Sequence, residues 1–139
     1  MTLLGYNLVV VYVLSHQEGD LDLCSNILEK QLLKHPNGAW FLFFKGRLEF
    51  MRGNFEESKA LYIKSWKSQD IWPQFHHLCF WELLWLHCLG CEWRAADQFA
   101  TFLIEKSRWS TTIYSYQRAA LLCMIGDDKE KSSIEALMK

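Results

Sequence analysis

Two prolines and seven glycines in 139 residues leave little to interrupt a chain that is 50% apolar and 15% aromatic. Proline removes a backbone donor and breaks helices, so its scarcity favours long uninterrupted ones. Low glycine with high apolar content argues against a flexible linker or a disordered tail. A charge bias is also missing: 15 Lys and Arg stand against 16 Asp and Glu, a net charge of -1. Nucleic acid is therefore not an expected partner, because binding a phosphate backbone requires a basic stripe. The opening apolar run LLGYNLVVVYVL is short of the roughly 20 residues that span a bilayer. It has no basic stretch before it and no small-x-small cleavage site after it, so neither an integral membrane segment nor secretion is expected. The five cysteines are odd in number and scattered among apolar neighbours, unlike a disulfide framework. They read as reduced thiols of a cytoplasmic protein.

What is present is a period. EGDLDLCSNIL, RGNFEESKALY and CEWRAADQFA each join a turn to a helix start, and Gly19, Gly53, Cys91 and Gly126 mark equivalent positions at spacings of 34, 38 and 35. An apolar stretch precedes each mark and a helical one follows, so each unit reads as helix, tight turn, helix. Gly19, Gly53 and Gly126 suit the positive φ that ends a helix, and the next residue in each case is Asp20, Asn54 or Asp127, a good cap. At the third mark Gly90, one residue before Cys91, is expected to take over that role.

Period and residue types resemble the tetratricopeptide repeat. The expected fold is all-α, an α-solenoid of about four antiparallel helical hairpins forming a tetratricopeptide-repeat-like superhelix. It forms a single domain over 1–139 with repeats at about 5–38, 39–72, 77–110 and 112–139. Tyr12 and Leu84 replace the repeat's small residue, and Ala100 its bulky one. The four additional residues between the second and third units fall in KSQDIWPQ, where Pro73 would break a continuous helix and a longer connection is expected. The opening run is apolar nearly all round, whereas a solenoid's terminal helices need a polar outer face. The chain is therefore expected to be part of a longer protein, or to be covered there by a partner.

The richest cluster of chemistry, HHLCFWELLWLHCLGCEW from His76 to Trp93, holds three histidines and three cysteines. A structural zinc needs four converging ligands, and a single CxxC (Cys88 and Cys91) supplies two. On one helix Cys79 would lie about 13 Å from Cys88 at 1.5 Å per residue. The zinc alternative at Cys88 and Cys91 is thus disfavoured, and neither metal nor cofactor is expected. Cys79 beside His76 lacks the strained exposed turn and oriented base of a nucleophilic hydrolase, so no enzyme and no catalytic residue is expected.

In the repeat family the first helix of each unit lines the concave surface. Carried onto this chain, that surface holds Trp40, Phe43, Arg47 and Phe50 from the second unit, Trp81 and Trp85 from the third, and Tyr116 from the fourth. These seven are the expected partner-binding residues. A groove of Phe, Trp and Tyr with Arg47 as its main charge does not match a carboxylate clamp. It suits a protein partner or helical segment, including further helices of the same protein, and leaves a lipid open as the alternative ligand.

Three motifs in order, PNGxxxLFFxGRLxxxxGNFEES, FHHLCFWELLW and KSRWS before an aromatic helix, resemble the tetratricopeptide repeat protein 39 / Iml2-like family over most of the chain. The resemblance departs at HCLGCEW. It implies the C-terminal part of a longer all-helical cytosolic scaffold, associated with lipid and sterol metabolism or lipid-droplet-linked aggregate clearance, with no catalytic activity.

Overall fold

The computed structural model describes residues 1–138, and every regular element among them is helical. The chain divides into two compact units, Met1–Ile71 and Trp72–Lys139. The first begins with α1 (Thr2–Gly5), a π-helical segment (Tyr6–Val10) and α2 (Val11–Ser15), wound continuously. It continues with α3 (Leu21–Lys34), α4 (Ala39–Met51) and α5 (Phe55–Lys67). The second holds α6 (Pro73–Leu89), α7 (Trp93–Lys106), α8 (Thr111–Ile125), a 3-10 turn (Asp128–Glu130) and α9 (Lys131–Leu137). Within each unit neighbouring helices pack on one another, α4 on α5 and α6 on α7 most extensively. This is the all-α architecture of helical hairpins that the period predicts.

Local chemistry sets the helix ends. Asp20 caps α3 by accepting from the Leu23 N–H at 2.8 Å. In α5, Glu56 and Glu57 occupy the first turn and Lys64 and Lys67 the last, complementing the helix dipole. Pro73 opens α6 at a position where no backbone donor is needed. The additional residues before the third repeat therefore lengthen the helix, which has 17 residues in α6 against 13 in α4. The expected longer connection is not where they go: Pro73 starts a helix there and interrupts none.

The turns at the second and third marks have the same geometry 38 residues apart. In α4–α5, Arg52 stays right-handed, Gly53 takes φ +82° and the Asn54 N–H reaches back to the Glu49 carbonyl at 2.9 Å. In α6–α7, Gly90 stays right-handed, Cys91 takes φ +56° and the Glu92 N–H reaches the His87 carbonyl at 2.9 Å. Cys91 itself thus adopts the left-handed conformation expected of Gly90, because that conformation belongs to the residue after the helix cap. Gly126 behaves as expected, at φ +70°. Gly19 does not: the positive φ of the first turn falls on His16. Gly19 is needed for close approach instead, since a Cβ there would lie 2.5 Å from the Asn7 carbonyl oxygen. Asn7 Oδ1 accepts from the Asp20 N–H, and Asn7 Nδ2 donates to the Leu3 carbonyl, tying that turn to the helix behind it.

The core of the first unit gathers Leu4, Leu8, Cys24, Leu28, Leu42, Leu48 and Tyr62. That of the second gathers Phe75, Cys79, Phe80, Leu83, Leu84, Leu103 and Leu122. Between α4 and α5, Gly46 faces the Tyr62 ring so closely that a Cβ would lie 3.1 Å from it. Ser58 Oγ locks the same crossing by donating to the Gly46 carbonyl at 2.7 Å. The equivalent positions of α6 and α7 are Leu84 and Ala100, both buried. The two departures from the repeat pattern therefore offset each other, the bulk having moved from one helix to its partner.

A buried carboxylate closes the α4–α5 turn. Burial pushes the Glu49 carboxyl pKa up, but hydrogen bonds from Asn54 and Lys45 and the charges of Lys45 and Arg52 outweigh it, leaving a value below the ordinary one. Lys45 lies 2.9 Å from Glu49, and Asn54 donates to it at 2.7 Å.

Gly46→Leu should destabilise the chain by about 1–3 kcal/mol in urea unfolding, the usual cost of overpacking. Adding Tyr62→Ala, which reproduces the arrangement of α6 and α7, should recover part of that loss as a coupling in a double-mutant cycle. Because the folded pKa of Glu49 is depressed, its contribution to stability is present above the unfolded carboxylate value and is lost as pH falls through the folded one. Acid unfolding followed by circular dichroism should show this dependence, and Glu49→Gln should flatten it.

Candidate interaction groove

One face of α6 carries Gln74, His77, Leu78 and Trp81, spaced i, i+3, i+4 and i+7. Together with Trp72, the end of α7 at Lys106, the loop 107–110 and the α8 residues Ile113 and Tyr114, it lines a groove of about 1090 Å³ within the second unit. Trp81 meets Tyr114 edge-on at 5.9 Å and Trp85 at 5.7 Å. Trp72 stacks on Phe75 at 6.3 Å. The loop is held in place: the buried Ser107 donates its N–H to the Leu103 carbonyl, and its Oγ accepts from the Trp109 N–H. Trp109 projects from this loop with 85% of its surface exposed.

The charged side chains among the described lining residues are those of Lys106 and Arg108, and no carboxylate joins them. Lys106 Nζ lies 5.3 Å above the Phe102 ring. Burial lowers the pKa of His77, and neighbouring His76 and Lys106 lower it further, so its imidazole is neutral at pH 7. The groove thus has an aromatic floor and a positive edge.

The seven residues expected at the partner surface fall into two sets. In the second unit Trp81 lines the groove, while Trp85 and Tyr116 stand 43% and 63% exposed. In the first unit Phe43 is only 7% exposed and packs against Tyr62 at 5.3 Å. Trp40 lies half-buried against Phe43 and Phe44, and Phe50 packs against Phe55 at 5.9 Å. Arg47 donates through Nε to the Leu8 carbonyl at 3.1 Å, with its guanidinium 5.1 Å from the Tyr12 ring and 5.3 Å from Phe50. It therefore ties α4 to the π-helical segment. Trp72, His77, Lys106, Arg108, Trp109 and Tyr114 line the groove without being among the seven. Their signal in the sequence is KSRWS, an aromatic set among cations in a loop that a charged composition alone does not explain.

The histidine and cysteine cluster is spread along α6. His87 pairs with Glu92 across the turn and stacks on Phe99 at 5.5 Å. Burial pushes the Cys88 thiol pKa up, which disfavours the thiolate that zinc requires. Among the described residues no group of three or more His, Cys, Asp or Glu is placed to hold a metal ion. None of the described helices is long and apolar enough to cross a membrane.

These hairpins and motifs match the family described as Iml2/Tetratricopeptide repeat protein 39 over residues 1–139. The chain belongs to that family. It is 36% identical over 124 residues to Tetratricopeptide repeat protein ttc-39B of Caenorhabditis elegans, a match covering 89% of this chain and 21% of the relative. The chain therefore spans about a fifth of that relative's length. No solved structure shows significant similarity to it.

Arg47→Met should lower stability by roughly 1–3 kcal/mol in thermal unfolding, the range for losing a part-buried hydrogen bond to a charged group. Arg47→Lys should restore little of it, because a lysine has neither the planar guanidinium nor its Nε donor.

Proposed function

We propose that this chain is a non-enzymatic protein-interaction scaffold of the tetratricopeptide type, acting as one repeat module with repeats at about 5–38, 39–72, 77–110 and 112–139. The observation that carries this reading is the exposure of large apolar side chains on α6 and α8. Trp85, Ile113 and Tyr116 all stand open to solvent on the helices that line the groove. Aromatic side chains of this kind are characteristic interface anchors. The contacts are assigned to Trp81, Trp85 and Tyr116. The first-unit residues Trp40, Arg47 and Phe50 pack within their own unit, and Phe43 belongs to its core.

The family supports a finer reading, in which the scaffold works in the cytoplasm as part of a longer protein, in lipid or sterol metabolism or in lipid-droplet-linked aggregate clearance. The competing reading is a lipid-binding module using the same apolar surface.

Affinity purification from a native extract, comparing the wild-type chain with Trp85→Ala/Tyr116→Ala, tests the proposal. The expected outcome is loss of specific protein partners with helicity and melting temperature retained. Partners unchanged by the double substitution would overturn it. Native mass spectrometry of the purified chain adds a second arm: a stoichiometric copurifying lipid that leaves on Trp81→Ala would favour the lipid module.

A further inference from the structure

The groove between α6 and α8 has a chemistry more specific than an apolar surface. Its volume of about 1090 Å³ lies at or beyond the upper limit of the roughly 300–1,000 Å³ usual for small-molecule pockets. That size, and an outlet flanked by the exposed Trp109 and Ile113, fit a length of polypeptide better than a compact ligand. The floor is already shaped for a row of side chains: Leu78 and Trp81 on one helix oppose Ile113 and Tyr114 on another. A helix laid in a groove is recognised through anchors at i, i+3, i+4 and i+7.

Charge decides the partner. The chain as a whole carries a net charge of -1, yet the groove edge presents Lys106 and Arg108 with no carboxylate among its described lining residues. Both cations are exposed. Ser107 ties the backbone of the loop that carries Arg108 and Trp109, which keeps that loop beside the floor. An oriented cation edge along an apolar trough selects a ligand that is apolar on one side and acidic along its flank.

We infer that the groove takes an acidic amphipathic segment of a partner protein, its apolar side chains on Leu78, Trp81 and Ile113 and its carboxylates against Lys106 and Arg108. The inference rests on the interaction reading above and names the partner's chemistry. A bilayer fits less well, because the surface is concave and two cations contribute only about 1 kcal/mol each toward an anionic membrane. An acyl chain fits less well too, since Gln74, His77 and Ser110 would lose water without gaining a partner.

Selection from a random peptide display library on the full 139-residue chain tests this. The enriched peptides should combine an apolar i, i+3/i+4 pattern with flanking Asp or Glu. In fluorescence anisotropy a labelled enriched peptide should bind Arg108→Glu and Lys106→Glu at least about tenfold more weakly than wild type, and should weaken as salt screens the pairing. Both substitutions lie on the exposed edge, and circular dichroism checks that the fold is kept. Enriched peptides without acidic residues, affinity indifferent to both charge reversals, or no enrichment at all would overturn the inference. So would binding to phosphatidylserine vesicles that the same reversals abolish. If extract partners are lost with Trp85→Ala/Tyr116→Ala but survive both charge reversals, the scaffold reading stands and the acidic-partner inference falls.

Discussion

Two helices of a hairpin approach as closely as the side chains at their crossing allow, and everything built on this chain depends on that sum of bulk being right. In α4–α5 it is met by Gly46 under the Tyr62 ring, with Ser58 bonding across to the Gly46 carbonyl. In α6–α7 the same positions hold Leu84 and Ala100, both buried. Either arrangement fills the interface once, as close packing demands. A bulky residue on both helices would force them apart, and a small one on both would leave a cavity. The neighbouring turn is fixed as firmly, since one left-handed residue lets the chain reverse within three residues.

That constraint explains which parts of the fold are legible in the sequence. The period shows because Gly53, Cys91 and Gly126 recur where the backbone must turn left-handed. Leu84 and Ala100 look like two defects when each is compared with a repeat pattern, and become one solution only when the helices that carry them are seen to pack together. Gly19 misleads for a related reason. Its lack of a side chain serves the nearby Asn7 carbonyl, and a contact between residues twelve apart in the chain leaves no local signature.

The surface is less legible than the core. Phe43 and Trp81 occupy the same place in successive repeats, yet one is buried and the other lines a groove. What differs is the opposing residue: Tyr62 covers Phe43, whereas Ala100 stands at the corresponding position in α7. Arg47 and Trp85 are likewise equivalent in position but not in role, one bound to a backbone carbonyl and the other open to solvent. Position in a repeat thus predicts direction but not exposure. The loop carrying Arg108 and Trp109 lies outside the helical period altogether, so periodicity has nothing to say about it.

The π-helical segment at Tyr6–Val10 closes its turn with the Val11 N–H reaching the Tyr6 carbonyl. Such a turn accommodates one residue more than an ordinary helical turn. In the first hairpin Cys24 and Leu28 keep step with Ser58 and Tyr62, 34 residues on, while α2 ends early and leaves Leu14 exposed where Leu48 is buried. The wider coil thus takes up one residue inside the first helix, ahead of a second helix whose positions stay in step with the repeat that follows.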